Sequence, residues 1–155
     1  MNPTPNLPGR IMALDLGEKR IGVALSDETR TLARSYTVLP RKSRREDFAR
    51  LGHIAAAEKV TLLLVGLPVG LTLAAQATEA ESPKVAWMRD YATALSAALG
   101  LPVAFCDESY STVDAAASLH ARGKRARQQR EWIDAVAAAI FLQAYLDAQA
   151  QTRPQ

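Results

Sequence analysis

The stretch Arg10-Ile-Met-Ala-Leu-Asp-Leu-Gly-Glu-Lys-Arg-Ile-Gly-Val-Ala-Leu-Ser26 decides how this chain is read. Two apolar runs, Arg10 to Leu16 and Arg20 to Ser26, flank Gly17-Glu18-Lys19, which is the pattern of a β-hairpin. The first run is apolar throughout except for Asp15. Burying a lone charge is costly, so a carboxylate in such a strand implies a bound cation, a basic partner or a solvent-filled strand edge.

Working outward, Thr31 to Leu39 reads as a third extended run closed by Pro40, which makes an antiparallel meander of three strands. Phe48, Leu51, Ile54 and Ala55 recur at helical spacing, and Val60 to Gly66 is apolar on both faces, as in a parallel strand covered on both sides. Residues 69–82 read as a loop, and Pro83 opens a helix to about Leu99, punctuated by Gly100 and Pro102. Leu101 to Cys106 is the fifth strand. Then come a helix over about Val113 to Arg122, a basic linker from Lys124 to Arg130, and a last helix from about Glu131 to Gln149. The expectation is an α/β fold: a mixed five-stranded sheet, three antiparallel strands and then parallel ones, flanked by helices. Residues 10–150 form one domain, with polar tails at 1–9 and 151–155.

Composition narrows the chemistry. The chain has 155 residues, 48% of them hydrophobic, enough for one core and no more. A formal charge of +3 names no partner by itself. The single cysteine, Cys106, sits in an apolar run, and two separated histidines, His53 and His120, supply no structural zinc site. Any metal must be held by oxygen. No apolar run reaches the ~18 residues of a membrane span, so no membrane partner is expected and the cytoplasm is the expected location.

Three acids stand out. Asp15 lies on the first strand, and Asp107-Glu108 close the last one, where alternation sends the two side chains to opposite sheet faces. Glu108 is the preferred partner of Asp15; Asp107 also suits a turn or helix cap, and spacing alone leaves both open. Asp134 begins a strongly apolar helix, where the helix dipole alone would favour an acid. Together the three could chelate one or two hard cations, Mg²⁺ or Mn²⁺, and support in-line phosphodiester displacement without a histidine. Lys19 and Arg20 follow Asp15, and Arg122, Lys124, Arg125 and Arg127 precede Asp134, cations that suit a phosphate backbone. A further basic run, Arg41, Lys42, Arg44 and Arg45, fits either a phosphate surface or a merely solvated face.

The motifs Ala13-Leu-Asp-Leu-Gly17, Lys19-Arg-Ile-Gly-Val-Ala24, Val65-Gly-Leu-Pro68, Asp107-Glu108 with Thr112, and Asp134-Ala with Leu142-Gln-Ala-Tyr-Leu-Asp147 together resemble the YqgF/RuvX family across nearly the whole chain. The resemblance implies an RNase H-like fold related to RuvC-type Holliday-junction resolvases. It further implies a metal-dependent nuclease maturing the 5′ end of pre-16S rRNA, with catalytic and metal-binding acids at Asp15, Glu108 and Asp134. The basic segment Lys124 to Arg127 matches the family's cationic stretch. Ser109 stands where relatives carry a basic residue, and Val69-Gly-Leu-Thr72 replaces an Asn-Met-Asp-Gly type of loop. Both departures imply altered substrate contacts with the acids intact.

Three readings compete on these residues: a pre-rRNA endonuclease, a resolvase of branched DNA, for which a homodimer is expected, and a non-catalytic RNA-binding assembly factor. Asp15-Leu-Gly17 before a hairpin also resembles the phosphate-binding strands of actin-like ATPases, but those clasp nucleotide between two domains.

Overall fold

The computed structural model describes residues 9–68, 82–108 and 126–152, with side chains on the last stretch from Trp132 onward. Strands β1 (Arg10–Leu16), β2 (Arg20–Ser26) and β3 (Ala33–Pro40) pair antiparallel, and β4 (Val60–Leu67) and β5 (Val103–Asp107) run parallel to β1. The sheet order is β3-β2-β1-β4-β5. Helices α1 (Arg44–Ala57), α2 (Pro83–Leu99) and α3 (Ala126–Thr152) complete the described elements. Because β1, β4 and β5 are parallel, their carboxyl ends share one edge, the edge where α2 begins.

Alternation along the strands builds a core on each sheet face. Met12, Leu14, Ile21, Val23, Leu63 and Val65 face one way and pack with Leu51 of α1 and Met88 and Leu95 of α2. Ile11, Ala13, Ala24, Leu62 and Leu64 face the other way and meet Ala138, Phe141, Leu142 and Leu146 of α3. No described helix is long and apolar enough to cross a membrane.

Boundaries differ from the sequence reading in places, for local reasons. The third strand starts at Ala33 because Asp27 Oδ1 takes the amides of Thr31 and Leu32 at 2.7 and 3.1 Å, and Arg30 turns the chain at φ 57°. Strand β5 starts at Val103, since Gly100 caps α2 in the left-handed region and the Leu101 amide still bonds back to Ser96. The last helix begins at Ala126, five residues before Glu131, and runs to Thr152, into the segment expected as tail. Arg and Gln are good helix formers, so a basic run does not break a helix. Gly9 is buried, and its carbonyl accepts from Arg30 Nε at 3.1 Å, so the first strand is anchored one residue earlier than expected. The helix expected at 113–122 lies outside the described residues.

A buried carboxylate ties α1 to α2. Asp47 is fully buried and accepts from the Lys42 amide at 2.9 Å, Arg50 Nη2 at 2.7 Å and the Tyr91 hydroxyl at 3.1 Å. Arg44 pairs with Asp90 at 2.9 Å and lies over the Tyr91 ring, so half of the first basic run serves the fold. Tyr91→Phe leaves Asp47 one donor short and should cost about 1–3 kcal/mol, read as a lower urea midpoint at unchanged slope.

Candidate active site

The site is built by two glycines and a register. Asp15 on β1 is paired with Gly22 on β2, and residues directly opposite in an antiparallel pair project to the same face. A Cβ on Gly22 would stand 2.2 Å from the backbone carbon and oxygen of Asp134. The missing side chain therefore lets the α3 backbone touch the sheet beside Asp15, which sets Asp134 next to it. On the other flank, a Cβ on Gly66 would stand 2.7 Å from the Phe141 ring and 3.0 Å from Glu108 Cβ.

Alternation on β5 separates the two adjacent acids. Ala104 and Cys106 pack into the α3-side core, and Val103 and Phe105 into the α1/α2 side. Continuing that alternation sends Glu108 to the α3 face and Asp107 to the other. The Glu108 amide donates to the Leu67 carbonyl at 3.0 Å, which fixes the residue just past the strand end. Its carboxyl lies close enough to that of Asp15 for the two to perturb each other directly. Burial, and then the charges of Glu108 and Asp107, push the Cys106 thiol up to about 12.

Electrostatics follow from this crowding. Burial raises the Asp15 carboxyl far above its ordinary 3.8, helped by the Glu108 carboxyl and by Asp134, while Lys84 opposes. Burial also raises Glu108, with Asp107 and Asp134 adding to it and the neighbouring Asp15 carboxyl and Lys84 opposing. Asp134 is raised by burial and held down by Arg20. Arg20 Nε stands 3.6 Å from Asp134 Oδ2, an ion pair longer than a hydrogen bond.

The structure thus brings Asp15 and Glu108 into contact, and Asp134 to their side but facing Arg20. Among the described residues, no three acids, histidines or cysteines are clustered so as to hold an ion as they stand. Three anions do not converge on one point without a positive charge between them. Arg20, expected at the substrate, is engaged by Asp134; Lys19 is exposed in the β1–β2 turn. Arg122, Lys124 and Arg125 lie outside the described residues, and Arg127 falls on the first turn of α3, where only the backbone is described. Sequence reasoning missed Lys84, in the first turn of α2 behind the Ser82 cap, whose charge reaches both Asp15 and Glu108. Its signal was there: a lysine at the start of the helix that leaves β4 must begin at the acidic edge.

A family model described as RuvX, Holliday junction resolvase, matches residues 9–148. A protein of Anaeromyxobacter dehalogenans named "Putative pre-16S rRNA nuclease" is 42% identical over 141 residues, covering 91% of this chain and 98% of the relative. One of the same name from Burkholderia multivorans is 34% identical over 154 residues, covering 99% of each. Among solved structures, Thermus thermophilus RuvC in complex with a Holliday junction substrate superposes with a TM-score of 0.55 at 17% identity, covering 93% of this chain and 97% of that one. RuvC from the same organism also matches in a second structure, with a TM-score of 0.51. The fold is RNase H-like.

Two outcomes test this geometry. An acid whose folded-state pKa lies above its unfolded value binds more protons when folded, so its contribution to stability is lost as pH rises from the unfolded value through the folded one. Metal-free protein should therefore lose stability as pH climbs above the ordinary carboxylate range, and Asp15→Asn should flatten that loss. At neutral pH the variant should melt higher, by about 2–4 °C per kcal/mol of relieved strain. Gly22→Ala should cost about 1–3 kcal/mol or more by pushing α3 off the sheet, read as a lower melting temperature.

Proposed function

The chain belongs to the RuvX family, and on that premise we propose that it is a metal-dependent endonuclease that hydrolyses phosphodiester bonds in the 5′-end processing of pre-16S rRNA. The observation that carries this reading is the placement of Asp15 and Glu108 on one sheet face at the carboxyl edge of the parallel strands, with Asp134 brought beside them by the contact at Gly22. Strand carboxyl edges are where α/β sheets gather functional groups. A pair of half-buried carboxylates whose charges oppose each other is a donor set for a hard divalent ion, all oxygen and anionic.

Asp15 and Glu108 would hold Mg²⁺ or Mn²⁺, with Asp134 the third oxygen donor. When bound, the ion supplies Lewis-acid stabilisation of the phosphate oxygens and makes water more acidic. The chain's own groups do the rest. Arg20 restrains the Asp134 carboxylate from the β2 side. Lys84 places positive charge on the opposite flank of the pair, at the positive end of the α2 dipole. Lys19, in the turn that follows Asp15, is exposed for phosphate contact, and Arg122, Lys124, Arg125 and Arg127, which precede Asp134 in sequence, are further candidates for that contact.

A second reading, cleavage of branched DNA, is favoured by the description of the family model and by the RuvC fold match. A two-fold junction would then call for a homodimer. Cleavage of precursor rRNA fragments and of four-way junctions, side by side in Mg²⁺ and Mn²⁺, separates the two, and the preferred substrate identifies the activity. Asp15→Asn, Glu108→Gln and Asp134→Asn should each lower the rate by about a hundredfold or more, since the stabilisation at stake is several kcal/mol. Titration calorimetry should show Mn²⁺ affinity lost in Asp15→Asn; equal affinity in wild type and variant would remove the metal centre. Nucleic-acid binding with no cleavage by the wild-type chain would leave the assembly-factor reading instead.

A further inference from the structure

Arg41 was read from sequence as a surface cation, and the structure uses it otherwise. Its Nη1 donates to the carbonyls of Gly17 and Glu18, each at 3.1 Å, and its amide donates to the Lys19 carbonyl at 2.8 Å. All three acceptors belong to the turn that directly follows Asp15. The same guanidinium lies over the Trp87 ring of α2 at 4.4 Å and near the Tyr91 ring at 5.7 Å. Its Nε is buried and meets no acceptor among the described residues, so the aromatic face and the turn carbonyls are what hold the group. One side chain therefore bridges the β1–β2 turn to α2.

That bridge spans the candidate site. Lys84 and Trp87 are three residues apart on α2 and so are neighbours on its surface. Asp15 ends the strand whose turn Arg41 grips. We infer that Arg41 is a positioning residue of the carboxylate site: by clamping the β1–β2 turn to Trp87 it fixes the first turns of α2, and Lys84 with them, against the strand that carries Asp15. A planar guanidinium suits the job, because its face lies over the indole while Nη1, in its plane, donates to both carbonyls. The indole is also gripped from beneath, with its ring 5.3 Å from that of Tyr91, whose hydroxyl is fixed on Asp47. The clamp is thus continuous with the buried polar network between α1 and α2.

The rate arm of the test rests on the nuclease reading, so a second arm reads position directly. Lysines are converted to ¹³C-dimethyl-lysine, the Lys84 resonance is assigned with Lys84→Arg, and its shift on introducing Asp15→Asn is measured at fixed pH. With Arg41 in place the resonance should respond. In Arg41→Lys, which keeps the charge and the fold, the response should fall by about half or more as the ammonium drifts from the pair. Trp87→Phe, which keeps an aromatic face, should retain the response, and Trp87→Leu should lose it. In cleavage assays, Arg41→Lys should lower kcat by about ten- to a hundredfold with KM within about twofold, at temperatures where the variant stays folded. A Lys84 response unchanged in Arg41→Lys, or absent in wild type, overturns the inference whatever the rate does. A reduced response with unchanged kcat overturns its bearing on the reaction. A wild-type chain that cuts no nucleic acid but keeps the Lys84 response overturns the nuclease reading and leaves the clamp standing.

Discussion

The contact between the α3 backbone and the bare Cα of Gly22 is the constraint on which the site depends. Any side chain at that position would lie inside the main chain of Asp134. Because Gly22 stands opposite Asp15 in the hairpin register, one small residue sets both the depth of α3 on the sheet and the placement of its acid. Gly66 repeats the device on the other flank, admitting the Phe141 ring close to β4 beside Glu108. The apolar α3-side core then extends the same approach along the helix through Ala138, Leu142 and Leu146. Small residues at the contact line are what allow backbone, rather than side-chain tips, to meet the strands.

Bringing carboxylates together at that depth works against stability, and the structure shows how the conflict is contained. Burial, and then the charge of Glu108 beside it, raise the Asp15 carboxyl and so favour its neutral form. Asp134 turns to Arg20. Lys84 bears on the pair from α2. The carboxylates are thus divided between two cations that come from different elements and opposite sides. Burying like charges side by side costs stability, and Lys84 and Arg20 offset part of that cost.

Much of this was legible in the sequence, and the parts that were not have physical reasons. The hairpin was explicit in the two apolar runs around Gly17-Glu18-Lys19, and the central position of β4 in the unbroken run Val60 to Gly66. Glu108 could be preferred over Asp107 only by alternation, and Ala104 and Cys106 on the α3 side put Glu108 on the same face as Asp15. Helix ends resisted because charged residues carry no period: α3 starts inside what reads as a linker. The role of Gly22 was hidden, since the residue it accommodates lies more than a hundred positions away. Lys84 was overlooked because a lone lysine in a helix is the commonest of surface features, and only the topology brings it to the acids.

The arginines carry the last step. A net charge of +3 suggests a modest excess free for phosphate, yet most of the arginines between 30 and 50 are paired with other parts of the fold, some of them at the surface. Arg30 bonds to Gly9 and Thr61, Arg34 to Glu58, Arg41 to the β1–β2 turn, Arg44 to Asp90 and Arg50 to Asp47. Planar, multivalent guanidinium groups serve well as ties between elements of a fold. Positive charge at the acidic edge therefore falls to Lys19 and Lys84 from the β1–β2 turn and α2, with Arg20 spent on Asp134. Among the described residues, the cations at the acidic edge thus come from two separate elements, the β1–β2 turn and the first turn of α2. Acids and cations therefore gather at one edge of the sheet, while most of the arginines between 30 and 50 are engaged elsewhere.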